Sequence, residues 1–149
     1  MKNQHKSILA RLVALFLVLS LVLPCPVLAA TPEHAQPYAS NYLTAYNTYI
    51  CNMGSGNFQI WYEVVGKGDM DEIGVLAIEL YEVSSTGKET WIKTFLHEDY
   101  ESMLATDDWY HCSYVSYPGS STKTYKAYVC IWAGKNGGGD TRYMWSTMV

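Results

Sequence analysis

The chain predicts an all-β fold, a two-layer antiparallel β-sandwich of seven or eight strands, on three observations. From Asn41 onward, apolar and aromatic residues alternate with polar ones over short runs, the period-2 pattern of half-buried strands. The runs are cut by clusters of Gly, Asn, Asp and Ser that tolerate positive φ, a spacing that favours antiparallel strands over βαβ units. The length of 149 residues, with 49% hydrophobic and 16% charged, suits a single core. Almost no helix is expected, although aromatics at Tyr42, Tyr46 and Tyr49 also fit one short helical stripe.

The strands fall in order at Tyr42 to Asn52, Asn57 to Val65, Ile73 to Val83, Thr90 to Leu96, a short piece at Glu101 to Leu104, Trp109 to Tyr117, Lys123 to Ala133 and Arg142 to Met148. Between them lie the turn sequences Gly54-Ser55-Gly56-Asn57, Gly66-Lys67-Gly68-Asp69, Ser84-Ser85-Thr86-Gly87, Pro118-Gly119 and Gly137-Gly138-Gly139-Asp140. In the strand from Lys123, alternation sends Tyr125, Ala127, Val129, Ile131 and Ala133 to the core, and Lys126, Tyr128, Cys130 and Trp132 to the other face. In the strand from Ile73, Leu76, Ile78 and Leu80 should point inward, with Glu79 on a partly wet outer face.

Residues 1–30 read as a secretory signal peptide. Lys2, Lys6 and Arg11 precede the apolar run Leu12 to Leu23, and Val27/Ala29 or Leu28/Ala30 supply the small residues for cleavage after Ala29 or Ala30. The run covers 12 residues and ends at Pro24 and Pro26, short of the roughly 18 that span a membrane, so no permanent membrane span is expected. Cys25 lacks the small preceding residue that lipid attachment needs, since Pro24 stands there. Residues 31–40 read as a short tether and residues 41–149 as the sandwich domain. Without the leader, 7 basic residues face 14 acidic ones and the net charge moves from −4 to −7, which argues against nucleic acid or an anionic membrane as a partner. The localisation this implies is extracellular or at the cell envelope.

Cys51, Cys112 and Cys130 remain after the leader, an odd number in a compartment where disulfides form. A hairpin centred near residue 121 would set Cys112 opposite Cys130, and a cross-strand disulfide is expected there, with Cys51 left over. Adjacent His111 and Cys112 point to opposite faces of a strand, which does not make a nucleophile–base pair. There is no Gly-x-Ser-x-Gly elbow, no His-Glu-x-x-His pair and no phosphate loop, and no cofactor is expected.

The surplus of rings carries the functional reading. Beyond the leader there are 13 Tyr, 5 Trp and 2 Phe, and Tyr114, Tyr128 and Trp132 should project together on one non-core face, as a ligand platform or as a cross-strand ladder. Asp140 and Arg142 alternate onto one face as an ion pair or ligand clamp, with the plainer alternative that Asp140 serves the turn while Arg142 packs over the sheet. Asp69, Asp71 and Glu72 beside a Gly-x-Gly turn offer oxygen ligands for calcium or, more simply, Asp71 bridges the turn.

The segments Tyr81-Glu82-Val83-Ser84, Gly87…Trp91, Tyr125-Lys126-Ala127, Ala133-Gly134-Lys135 and Gly138-Gly139-Asp140-Thr141-Arg142 resemble an uncharacterised family of small secreted proteins of Gram-positive anaerobes, a domain of unknown function. The Tyr-Glu…Trp piece is also similar to immunoglobulin-like and fibronectin-III-like domains. The resemblance implies a secreted β-sandwich with no catalytic residues; the cysteines at 51, 112 and 130 depart from the family's pattern. The expectation is therefore a non-catalytic extracellular binding module for a cell-envelope glycan or a protein. Its rivals are a small hydrolase with a carboxylate pair and a self-associating surface protein.

Overall fold

A computed structural model describes residues 40–148. The predicted leader and all of the predicted tether but Ser40 lie outside the described residues. The described chain is an antiparallel β fold of six strands with one turn of 3-10 helix: β1 Leu43–Asn52, β2 Asn57–Val83, β3 Glu89–Leu96, the 3-10 turn Glu101–Met103, β4 Leu104–Pro118, β5 Thr124–Lys135 and β6 Gly138–Thr147. Tyr42 lies in a bend and Leu43 to Tyr49 is extended, so no helix forms there. None of the described helical residues forms a helix long and apolar enough to cross a membrane.

β2 organises the sheet. Its 27 residues pair with four other strands: β1 and the C-terminal part of β4 flank Asn57 to Val65, while β5 and β3 flank the stretch that ends at Val83. β6 extends the second half beyond β5, and a parallel bridge from Ile50 to Met148 ties β1 to the end of β6. The sheet thereby curls into a half-barrel around one core.

The bend in β2 corrects the expected boundary between two strands. Gly66 to Asp69 is a bend inside one strand, because three residues more on β2 than on β4 separate the Val65↔Tyr110 and Met70↔Asp108 pairs. A bulge of this kind turns a strand without ending it. Gly68 has φ +94, Met70 is buried, and Lys67 N–H donates to the Tyr42 carbonyl at 2.8 Å. A second irregularity between Val75 and Ala77 changes which parity faces inward. Val75, Ile78 and Leu80 are buried while Leu76 is not, which corrects the expected inward position of Leu76. The short strand expected at Glu101 to Leu104 is the 3-10 turn, and β4 begins earlier than expected, at Leu104.

Elsewhere the alternation holds. Phe58, Ile60, Tyr62 and Val64 of β2 and Tyr125, Ala127, Val129, Ile131 and Ala133 of β5 are all buried, joined by Ile50, Phe95, Met103 and Val115. Each large side chain among them contributes about 1.5–3 kcal/mol of burial. Tyr62 keeps its polar end satisfied by donating its O–H to the Ser102 carbonyl at 2.9 Å, and burial raises its pKa.

β4 and β5 do not form the hairpin expected around residue 121. Both pair with β2, on opposite edges and along stretches that overlap only at Glu72 to Gly74, so Cys112 lies opposite Glu63 and Cys130 lies opposite Ala77 and Tyr143. The expected Cys112–Cys130 disulfide is corrected accordingly: Cys51, Cys112 and Cys130 are free thiols. The connection that defeats it carries the chain across the end of β2, with Gly119 N–H donating to the Gly56 carbonyl at 2.7 Å and Ser120 N–H donating to the Tyr125 hydroxyl at 2.8 Å.

Candidate functional site

The inward residues of β5 dictate its outward ones. With Ala127, Val129 and Ile131 in the core, Lys126, Tyr128, Cys130 and Trp132 stand on the outer face. The β5–β6 turn then chooses their neighbours. Asn136 and Gly137 both have positive φ, 53 and 76, the two-residue turn that an Asn-Gly pair favours. It sets Lys126 opposite Thr147, Tyr128 opposite Trp145, Cys130 opposite Tyr143 and Trp132 opposite Thr141. On the other side, β2 places Glu79 beside Tyr128 and Tyr81 beside Lys126, and β3 places Trp91 beside Tyr81.

A continuous aromatic surface results, four strands wide. The Tyr128 ring lies 5.5 Å from Tyr143, nearly parallel to it, and 4.7 Å from Trp145. Trp145 meets Tyr81 at 5.6 Å and carries the Lys126 ammonium 3.8 Å above its ring, a cation–π contact. Lys126 also pairs with Glu89 at 2.8 Å, Tyr81 donates its O–H to Glu79, and the Trp91 Nε1–H reaches Thr94 Oγ1 at 3.2 Å. The hydrogen bond to Glu79 raises the pKa of Tyr81. The Tyr143–Cys130 hydrogen bond does the same for Tyr143, and burial raises the Cys130 thiol. Trp91 and Tyr143 remain 58% exposed and Trp145 43%.

Tyr128 and Trp132 share this face. Tyr114 does not, because its strand pairs with the first half of β2; there it meets Trp61 at 4.7 Å, and Trp61 stacks in turn with Tyr49 at 6.3 Å. The expected single platform is thus two. Asp140 and Arg142 do pair, through Nη1 and Oδ1, and Arg142 also donates to the Thr141 carbonyl at 2.9 Å. They share their parity with buried Ser146, whereas Tyr143 and Trp145 take the opposite one, so this ion pair stands on the other face of β6 from the rings. Asp71 bridges the β5–β6 turn, accepting the Asn136 N–H at 2.6 Å, and among the described residues no group of three His, Cys, Asp or Glu is placed to hold a metal ion. The His111 ring engages the Ser102 carbonyl at 2.9 Å, while Cys112 lies on the outer face beside Tyr110 and Glu63.

Tyr81, Trp91, Tyr143 and Trp145 are members of the surface that the sequence pattern did not assign to it, whereas Lys126 was expected on this face. The Asn136-Gly137 pair was the available signal, since pairing residues equidistant from it sets Tyr128 against Trp145 and Cys130 against Tyr143.

No family model matches the chain, and no curated protein matches it. The sporulation control protein Spo0M of Bacillus subtilis is a solved structure to which the chain is similar, with a TM-score of 0.39 and 10% identity over 71% of this chain. The match covers 49% of Spo0M, so the chain spans about half the length of that protein.

Proposed function

We propose that the chain is a non-catalytic binding module acting outside the cell, which holds a glycan against the outer face of β2, β3, β5 and β6. One observation carries this reading: Trp91, Tyr143 and Trp145 stay 43–58% exposed on the outer face of a sheet whose inner face carries the buried rows of β2 and β5, so these rings are presented to solvent by a packed scaffold. Exposed apolar patches of this kind mark interaction surfaces, and rings already locked by stacking and by Lys126 lose little freedom when a ligand lands. The chemistry fits a sugar polymer. Flat rings receive the C–H faces of pyranoses, while Glu79, Glu89 and Lys126 around them offer hydrogen bonds to hydroxyls. The leader-like residues 1–30 supply the extracellular part of the proposal.

The test is binding of the purified chain to an array of cell-wall and mucosal glycans, with Trp145→Ala and Tyr143→Ala as controls. A glycan should be retained and should lose at least about tenfold in affinity in each variant, as central aromatic anchors do. Retention that both variants preserve would sink the assignment of this face. Silence on the array, with a protein captured in a Trp145-dependent way, would replace the glycan by a protein partner.

A further inference from the structure

A cleft of about 440 Å³ opens at the end of the same sheet half, lined by Asp71, Glu72, Thr106, Trp132, Gly134 and Lys135. We propose that this cleft seats one neutral pyranose unit, stacked on Trp132 with adjacent hydroxyls held by the carboxylates of Asp71 and Glu72. The proposal rests on the glycan reading above and adds where a sugar unit would be gripped.

Glycines make room for the indole that lines the cleft. Gly134 and Gly139 lie opposite each other on β5 and β6, and a Cβ on either would collide with the indole: 2.6 Å from Cζ2 at Gly134 and 2.1 Å from Cη2 at Gly139. Paired glycines weaken a sheet and mark places where another group must approach closely; here that group is the six-membered ring of Trp132. The Nε1–H is buried and has no partner among the described residues. The indole therefore offers the cleft carbon surface and no accessible donor, which suits the apolar face of a sugar ring.

The walls are held firmly as well. Asp71, which lines the cleft, is fixed by the Asn136 N–H through Oδ2. Lys135 Nζ donates to the Asp69 carbonyl at 2.6 Å, tying the β5–β6 turn to the bend of β2. Glu72 lies between Thr106 of β4 and Gly134 of β5, on the exposed side of the sheet. Two carboxylates and a threonine hydroxyl are an acceptor-rich set that takes donor hydroxyls and repels anions. A quaternary cation fits less well, because one ring does not form the aromatic cage such ligands use. The volume lies within the roughly 300–1,000 Å³ of small-ligand sites.

The experiment titrates the purified chain separately with glucose, galactose, mannose, N-acetylglucosamine and tetramethylammonium chloride. Saturation-transfer NMR and the indole N–H resonances are read, with the Trp132 resonance assigned by Trp132→Phe. At least one sugar should bind with a Kd of about 0.1–10 mM and shift the Trp132 resonance. Glu72→Gln, at an exposed position and with the melting temperature confirming the fold, should weaken it about tenfold, whereas Trp109→Ala, at an exposed ring elsewhere, should not. A sugar that binds Glu72→Gln as well as the parent but is lost in Trp145→Ala sits on the open face; this overturns the cleft and leaves the face reading standing. Tetramethylammonium binding in place of every sugar overturns the neutral-ligand assignment. Polymer binding lost in Trp145→Ala with no sugar moving the Trp132 resonance overturns the cleft alone, and absence of both polymer and sugar binding overturns the two readings together.

Discussion

The two halves of β2 use aromatic residues in opposite ways on their outer faces. Beside Asn57 to Val65, Tyr49, Trp61 and Tyr114 form one file across three strands, in which Tyr49 and Trp61 are half-buried and Tyr114 is 41% exposed. Beside the second half, Tyr81, Tyr128, Tyr143 and Trp145 spread over three strands with Trp91 on a fourth, and the rings at its margins are more open. In the first half the rings mostly cover one another, as a cross-strand ladder that stabilises a sheet face. In the second they leave area uncovered and are interleaved with Lys126, Glu79 and Glu89. A surplus of aromatics therefore has no single meaning: its use depends on how much ring each neighbour hides.

The sharpest way to break this contrast sets a core ring against an outer one. Phe58 is 1% exposed and packs edge-on against Tyr125 at 4.8 Å, so Phe58→Ala should cost about 3–5 kcal/mol in denaturant unfolding. Tyr143→Ala removes a ring of similar size from the second outer face and should cost under about 1.5 kcal/mol, the value of its stack on Tyr128. Equal losses would mean that the outer face is structural, and the binding proposal would lose its support.

A middle-sized effect is expected where the two halves join. Gly74 has φ +146, and a Cβ there would stand 2.2 Å from the Met103 carbonyl oxygen. Gly74→Ala should therefore lower stability by about 1–3 kcal/mol, since the side chain demands both a strained backbone and a shift of the 3-10 turn. If the melting temperature does not move, the junction is softer than the packing implies and the halves are less tightly coupled than one shared core requires.

The comparison also marks what the sequence could reveal. The all-β class and the inward row Tyr125 to Ala133 were legible, because period-2 alternation depends only on local order. The continuity of β2 was not. Gly66-Lys67-Gly68-Asp69 has the composition of a turn, and only pairing to β4 and to the neighbouring turn at Asn136 makes it a bend. Leu76 was misplaced for a related reason: one irregular residue between Val75 and Ala77 inverts every later face, and no residue type announces it. The Cys112–Cys130 pairing failed because β4 and β5, though consecutive, pair with opposite edges of one long strand instead of with each other. Tyr128 and Trp132 were placed on the correct face, but their neighbours across β6 and β2 follow from register, which only the Asn136-Gly137 turn hinted at.

The smallest effect sharpens the contrast at two tyrosine–cysteine pairs, one on each outer face. Tyr110 and Cys112 are two residues apart on β4, opposite Val65 and Glu63; Tyr143 and Cys130 face each other across β5 and β6. The hydrogen bond with Cys112 comes first in pushing Tyr110 up to about 12, with burial and the nearby Glu63 adding to it, and the bond with Cys130 raises Tyr143 in the same direction. An unfolded tyrosine ionises at about 10, so the folded chain holds the Tyr110 proton more tightly. That contribution to stability is fully present below about pH 10 and is lost as pH rises toward about 12. An alkaline ultraviolet titration of the folded chain should show late tyrosinate ionisation from which Tyr110→Phe removes the Tyr110 component. Cys112→Ala should bring this component down toward the ordinary range, while Cys130→Ala should move the Tyr143 phase and leave Tyr110 in place. A Tyr110 phase indifferent to Cys112→Ala would assign its shift to burial or to Glu63. The two faces would then differ in their titration chemistry as well as in how their rings are covered.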